Sequence, residues 1–226
     1  MQVSRKCLLV CATPGEASCL GAGSPSAFGF FENHLGEMVD LLVTGPGAVA
    51  TAFEMARALE RRSYDAVINF GIAGAYLPFP SLGAVVEVVE DEFADLGADD
   101  RGAYRSIFDM GLVHPDSYPF AAGKLHPFGA LPETGLKKVK GATVNTVSGE
   151  AAAIEKLLKR TDAEIESMEG AAFFFASARM QVPSVAIRSI SNRVEPRDKS
   201  KWQMKSAMNA LEDFLRGYLP LITSAY

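Results

Sequence analysis

Short, continuous apolar runs separated by longer stretches of helical periodicity are the feature of this sequence that most restricts its fold. Several of the runs at residues 7–12, 38–44, 66–72, 84–89, 143–147, 164–167 and 184–190 are unbroken rather than alternating, as in strands covered on both faces. Helical patterns occupy 48–62, 150–160, 170–180 and 199–219. This alternation predicts an α/β fold, a three-layer sandwich around a central mixed, mostly parallel sheet. No linker or repeat divides the 226 residues, so a single domain over 1–226 is expected. Residues 99–140 break the rhythm. Pro115, Pro119, Pro127 and Pro132 with scattered glycines predict an irregular insertion, of the kind that carries function or packs in an oligomer interface.

The net charge of −5 offers no basic footprint for a nucleic-acid polymer, which leaves a small molecule as the expected ligand. Basic residues precede the run at 7–12, but that run is shorter than a signal-peptide core, and no run is long enough to span a bilayer. It reads as a first strand, with no membrane partner. Cys7, Cys11 and Cys19 are odd in number and lack metal-ligand partners, which predicts reduced thiols in a cytoplasmic protein. His34, His114 and His126 are scattered without metal spacing, so neither a metal nor an organic cofactor is expected.

Ligands of open α/β sheets gather at the carboxyl ends of the strands. There the sequence places Thr13-Pro14-Gly15-Glu16, then Gly45-Pro46-Gly47, then Gly71-Ile72-Ala73-Gly74, then Ser167-Met168-Glu169-Gly170, and finally Ser189-Ile190-Ser191-Asn192. The glycine segments suit tight turns or a close backbone approach to a ligand. Gly71, Ala73 and Gly74 lack the Lys and Ser/Thr of a phosphate-binding loop. Glu16 and Glu169 each suit a helix N-terminus, where the macrodipole favours an anion. Two such carboxylates and an amide at three strand ends make a more specific set. Ser148-Gly149-Glu150 reads as a helix cap, and Phe173-Phe174-Phe175 as core.

In this order the segments resemble the nucleoside phosphorylase and nucleosidase superfamily over nearly the whole chain outside the insertion. Phe93-Ala94-Asp95-Leu96-Gly97-Ala98, Glu166 through Phe174, and Ser189 through Asn192 leading to Val194-Glu195-Pro196-Arg197 resemble its futalosine hydrolases. The resemblance implies a nucleoside phosphorylase/hydrolase-like fold and removal of hypoxanthine from futalosine on a route to menaquinone. It implies Glu16 as general base, Glu169 on the ribose hydroxyls, Met168 beneath the sugar and Asn192 facing the purine. It also implies that the segment around Thr146 and Val147 lines the base pocket, and that the protein is a homo-oligomer, a dimer or larger.

Breaking an N-ribosidic bond builds positive charge on the sugar and negative charge on the purine. One carboxylate stabilises the cation and another deprotonates water. Adenine-cleaving relatives carry an aspartate where this chain has Asn192. An asparagine amide is no acid, but it offers a donor to O6 and an acceptor to a protonated N7, which favours hypoxanthine over adenine. The loop at 12–20 has no Arg or Lys for phosphate, so water is the expected nucleophile. The substrate that the resemblance implies carries a carboxylate-bearing aromatic side arm on its sugar end, and Arg193 or Arg197, beside the base site, is the candidate partner of that carboxylate. A methylthioadenosine/S-adenosylhomocysteine-type nucleosidase, a purine nucleoside phosphorylase and a non-catalytic nucleoside-binding protein are the alternatives the sequence leaves open.

Overall fold

The computed structural model describes residues 5–21, 25–76 and 80–224. Its strands are β1 (Cys7–Cys11), β2 (Gly29–Phe31), β3 (Val39–Val43), β4 (Ala66–Ala75), β5 (Val85–Phe93), β6 (Gly97–Asp100), β7 (Ala103–Ser106), β8 (Lys137–Thr143), β9 (Ile165–Ser167) and β10 (Ser184–Arg193). Its helices are α1 (Pro14–Ala17), α2 (Ala48–Arg61), α3 (Ala151–Leu158), α4 (Gly170–Arg179) and α5 (Met204–Thr223).

The unbroken apolar runs are explained by where alternate side chains go. Leu8 and Val10 of β1 join Val67 of β4 in a cluster with Met55, Ala58 and Leu59 of α2 and Phe173 and Phe174 of α4. Cys7, Leu9 and Cys11 point the other way, with Ile68 and Phe70, against Leu211, Leu215, Tyr218, Leu219 and Ile222 of α5. The buried positions of α2 (Thr51, Met55, Ala58, Leu59) recur at helical spacing, as do those of α5. All three cysteines are buried and free, and burial holds their thiols well above the ordinary range.

The fold is mixed α/β around a central mixed sheet. β1 pairs in parallel with β3 and β4, β10 with β4, and β8 with β5 and β9. Three contacts are antiparallel: β2 with β3, β5 with β10, and β9 with β4. Because β4 meets both β9 and β10, the strands β4-β10-β5-β8-β9 close into a ring, a feature the sandwich reading does not include.

Two further differences have physical causes. The strand expected at 143–147 ends at Thr143 and begins at Lys137, because three lysines mask its first half. Lys137 reaches Glu164 at 3.3 Å, Lys138 reaches Glu133 at 3.3 Å and Lys140 reaches Glu90 at 3.5 Å, so the strand keeps its charges at the rim. The insertion is correspondingly shorter than 99–140 and starts with the β6–β7 hairpin. The last helix starts at Met204 instead of residue 199. Asp198 caps a separate 3-10 turn over Lys199–Lys201, and Trp202 is extended between the two.

Among the described residues no helix is long and apolar enough to cross a membrane, and no group of three His, Cys, Asp or Glu side chains is placed to hold a metal ion.

Candidate active site

The site lies where β1 and β4 part. β1 pairs with β4 as far as Val10 and Asn69, and β9 takes over at Gly74, so the edge of residues 70–73 stays open between them. An open strand edge needs hydrogen-bond partners. Glu16 supplies one: its Oε1 accepts from the Ile72 N–H at 3.2 Å. Its Oε2 accepts from the N–H groups of Ala12 (3.1 Å) and Thr13 (3.0 Å) and from the Thr13 hydroxyl (3.1 Å). Thr13 caps α1 in return, accepting from the Glu16 N–H at 3.2 Å, with Pro14 opening the turn. The local Thr-Pro-Gly-Glu sequence therefore folds back and carries the carboxylate into the fork. Burial raises its pKa most, and the negative charge of Glu169 adds to this; the Ile72 N–H, Arg188 and Thr13 pull the other way.

Glu169 stands at the junction of β9 and α4. Its Oε1 accepts from the Gly47 N–H at 2.8 Å and its Oε2 from the Met168 N–H at 3.2 Å. Gly47 caps α2 with φ +95°, a conformation that suits glycine and turns its N–H toward Glu169. Beneath this junction Thr143 Oγ1 accepts from the Ala171 N–H (2.8 Å) and donates to Asp91 (2.8 Å). Burial pushes the Asp91 carboxyl up to about 7, against the opposing pull of Thr143 and Arg188.

Asn192 follows a register shift in β10 between Ile190 and Asn192, a bulge of the kind that re-aims side chains beside sites. Its Oδ1 accepts from the Ser191 hydroxyl at 2.8 Å and its Nδ2 donates to the Arg193 carbonyl at 2.9 Å. One amide hydrogen and one oxygen lone pair are left for a ligand. Arg188, 2% exposed, donates to the carbonyls of Asn69 and Ile187 and to Asn69 Oδ1, and its positive charge bears on both Glu16 and Asp91.

Glu16, Glu169 and Asn192 surround one cavity of about 380 Å³, with Asp91 and Arg188 outside its lining. Glu16, Ile72, Ala73, Gly74, Val147, Met168, Glu169 and Asn192 line it, with Glu166, Trp202, Met204 and Met208. Gly71 sits just behind Glu16. Thr146 is exposed and lies outside the cavity. Arg193 and Arg197 line a small annex of about 80 Å³ that shares Gly74, Val147, Glu166, Asn192 and Trp202 with the main cavity. Arg193 donates to the Pro80 carbonyl at 2.6 Å, and Arg197 lies over the Trp202 ring at 5.4 Å. Ser148 donates to Glu166, and the cap of α3 is Glu150, which accepts from Ala152 and Ala153.

Among the described residues, no side chain lining the main cavity is Lys, Arg or His. Such a site attracts developing cations, and its Met and Trp wall suits an apolar substrate body. Glu166 and Arg188 stand at the start of strand-end segments visible in the sequence, but nothing there gave either a role, and the Trp202–Met208 wall carried no motif. A lone charge within an otherwise apolar strand was the one visible sign of Arg188.

Comparison with known proteins shows the family and the fold. Residues 7–220 match the Phosphorylase superfamily. The futalosine hydrolase of Thermus thermophilus is 34% identical over 224 residues, covering 94% of each chain. That of Streptomyces coelicolor is 34% identical over 194 residues, covering 82% of this chain and 80% of its own length. Among solved structures, the native futalosine hydrolase of Helicobacter pylori superposes with a TM-score of 0.75 at 16% identity, covering 96% of this chain and 97% of that one. The Helicobacter pylori 5′-methylthioadenosine/S-adenosylhomocysteine nucleosidase with butyl-thio-DADMe-Immucillin-A gives 0.76 at 16% identity, covering 96% and 98%.

Proposed function

The chain belongs to the phosphorylase superfamily and, within it, to the futalosine hydrolases, and from that premise we propose how its residues share the work. The reaction is hydrolysis of the N-ribosidic bond of futalosine, giving hypoxanthine and dehypoxanthinyl futalosine in menaquinone biosynthesis. Glu16 takes a proton from the attacking water as the C1′–N9 bond breaks, and the water oxygen ends on C1′. Glu169, held by Gly47 and Met168, accepts from the ribose hydroxyls and stabilises the oxocarbenium-like sugar, which Met168 supports from below. The base leaves with N7 protonated from solvent. The remaining donor and acceptor of Asn192 meet O6 and that N7 proton.

The observation that carries this reading is the joining of Glu16, Glu169 and Asn192 around one cavity that, among the described residues, has no Lys, Arg or His in its lining. The charged side chains a phosphate nucleophile would meet there are carboxylates, whereas water suits Glu16. Gly71 leaves room for Glu16, Ala73 and Gly74 form the floor beside Asn192, and Val147 covers the base. Arg197, exposed over Trp202, is the better placed of the two arginines to meet the side-arm carboxylate, since Arg193 already donates to Pro80.

We further read α5 on one face and α2 with α4 on the other as the outer layers of a nucleoside phosphorylase-like sandwich. The protein is proposed to act in the cytoplasm as a homo-oligomer. Val49 (82% exposed) and Phe53 (60%) of α2, close to the Gly47–Glu169 contact, support a partner copy there. Light scattering of the purified protein measures its mass.

The deciding experiment is a phosphate-free assay with futalosine, inosine and methylthioadenosine separately, following the freed base by chromatography. Hypoxanthine released rapidly from futalosine alone is the expected result. Release of adenine would overturn the role of Asn192, and release only after phosphate is added would overturn that of Glu16. Calorimetric binding without turnover would make the protein a nucleoside binder.

A further inference from the structure

Glu166 is a carboxylate in the cavity wall that the reaction described above does not use. It is 5% exposed, yet it lines both the main cavity and the annex at the place where the two meet. Its position is set by strand register. Gly74 of β4 pairs with Glu166 of β9 on one side and with Asn192 of β10 on the other. Residues directly opposite one another across a sheet project to the same face. Glu166 and Asn192 therefore flank Gly74, two strand spacings or about 9.5 Å apart at their backbones. Gly74 leaves the floor between them bare. A Cβ there would lie 3.2 Å from Asn192 Nδ2 and 2.8 Å from a Val194 methyl.

The partners of Glu166 define what it can offer. Its Oε2 accepts from the Tyr76 hydroxyl at 2.7 Å and from the Ser148 hydroxyl at 2.6 Å, and its Oε1 accepts from the Ser148 N–H at 2.9 Å. Burial and the neighbouring Glu166 raise the Tyr76 phenol far above its ordinary range, so Tyr76 stays a donor. Three donors converge on the carboxylate, and Oε1, which accepts from one of them, keeps a lone pair for a further donor. The N–H and hydroxyl of Ser148, which an unprotonated ring nitrogen would need as donors, are already engaged.

We propose that Glu166 is a specificity-determining residue that accepts the N1–H of a 6-oxopurine, while Asn192 reads O6 and N7 across the ring. The inference rests on the nucleosidase reading and adds a second point of base selection to it. A 6-oxopurine presents a donor at N1, and a 6-aminopurine presents a lone pair there. A carboxylate attracts the first and repels the second, and a buried polar group left facing the wrong base rejects it strongly.

The test compares wild type with Glu166→Gln, using kcat/KM for futalosine and for its 6-amino analogue, with Tm recorded for each protein. The Gln amide can offer its N–H to the lone pair at N1. We expect the 6-oxo over 6-amino preference to fall by at least about tenfold, with wild-type Tm nearly retained. An unchanged ratio in a folded variant, or an equal loss on both substrates, overturns the proposal and leaves Glu166 a structural residue. Should the variant not fold, the wild type answers through product inhibition by hypoxanthine and 1-methylhypoxanthine, the second of which has no N1–H. Weaker inhibition by the methylated base, by about 100-fold, is expected. Equal inhibition overturns the assignment. Failure of the underlying reading looks different, because the wild type would then release no hypoxanthine from futalosine at all.

Discussion

Gly71 and Glu16 interlock: a Cβ on Gly71 would lie 2.5 Å from Glu16 Oε1. The carboxylate that binds the Ile72 N–H occupies the volume an alanine methyl would need. Gly71→Ala should therefore displace Glu16 while leaving the pocket otherwise intact. A misplacement of about 1 Å in a reacting group costs roughly 100-fold in rate. We expect kcat for futalosine to fall by about that factor with KM little changed, measured by steady-state kinetics. Wild-type kcat would show that Glu16 is not the base.

The pH profile should carry the signature of the same carboxylate. A general base works when ionised, so kcat/KM is present above its pKa and falls as pH drops through it. Burial and the charge of Glu169 place that acid limb above the 4.5 of an ordinary glutamate. Glu169→Gln keeps the shape and removes the charge. Its residual activity should show the limb moved to lower pH. A limb that stays in place would mean that Glu169 does not act on Glu16 through its charge.

The sequence disclosed those parts of the fold whose residues face the same surroundings along an entire run. β1, β3, β4 and β10 were legible because both faces are buried. β8 was not, because Lys137, Lys138 and Lys140 find acidic partners across space, which no local pattern shows. The site divides in the same way. Glu16, Glu169 and Asn192 stand at strand ends beside turn residues and could be read locally. Glu166 shares Gly74 with Asn192 only after β9 and β10 have both paired with β4. Trp202 and Met208 reach the cavity only once α5 has docked.

Asp91 should leave a trace in stability rather than in catalysis. Burial raises its carboxyl to about 7 in the folded protein, against 3.8 in an ordinary aspartate. The folded state thus holds the proton over a range in which the unfolded chain has released it. Stability from this group is full below the unfolded value and is lost as pH rises from about 4 to about 7. Asp91→Asn cannot ionise. The difference in Tm, variant minus wild type, should climb through that window and level off above it. A constant difference in calorimetry would show that Asp91 does not titrate there.

Asn192→Asp tests the other side of the base. The substitution removes the donor to the Arg193 carbonyl and leaves acceptors only toward O6. Activity on adenine nucleosides relative to hypoxanthine nucleosides should rise by at least about tenfold, read as the ratio of kcat/KM values. An unchanged ratio would mean that the base is selected elsewhere.

Recognition of the side arm should be separable from recognition of the base. Arg197 lies over Trp202, whose ring lines the main cavity, so its guanidinium stands at the rim and not against the reacting bond. A contact there lowers the energy of substrate and transition state alike, and its loss appears in KM with kcat nearly constant. Arg197→Met should raise KM for futalosine by roughly tenfold, the worth of one charged hydrogen bond. Free hypoxanthine has no side-arm carboxylate, so its product inhibition should be the same in variant and wild type. A KM for futalosine that does not move would remove Arg197 from the site. The same comparison on Arg193→Met would then decide whether the neighbouring arginine leaves Pro80 to take that part.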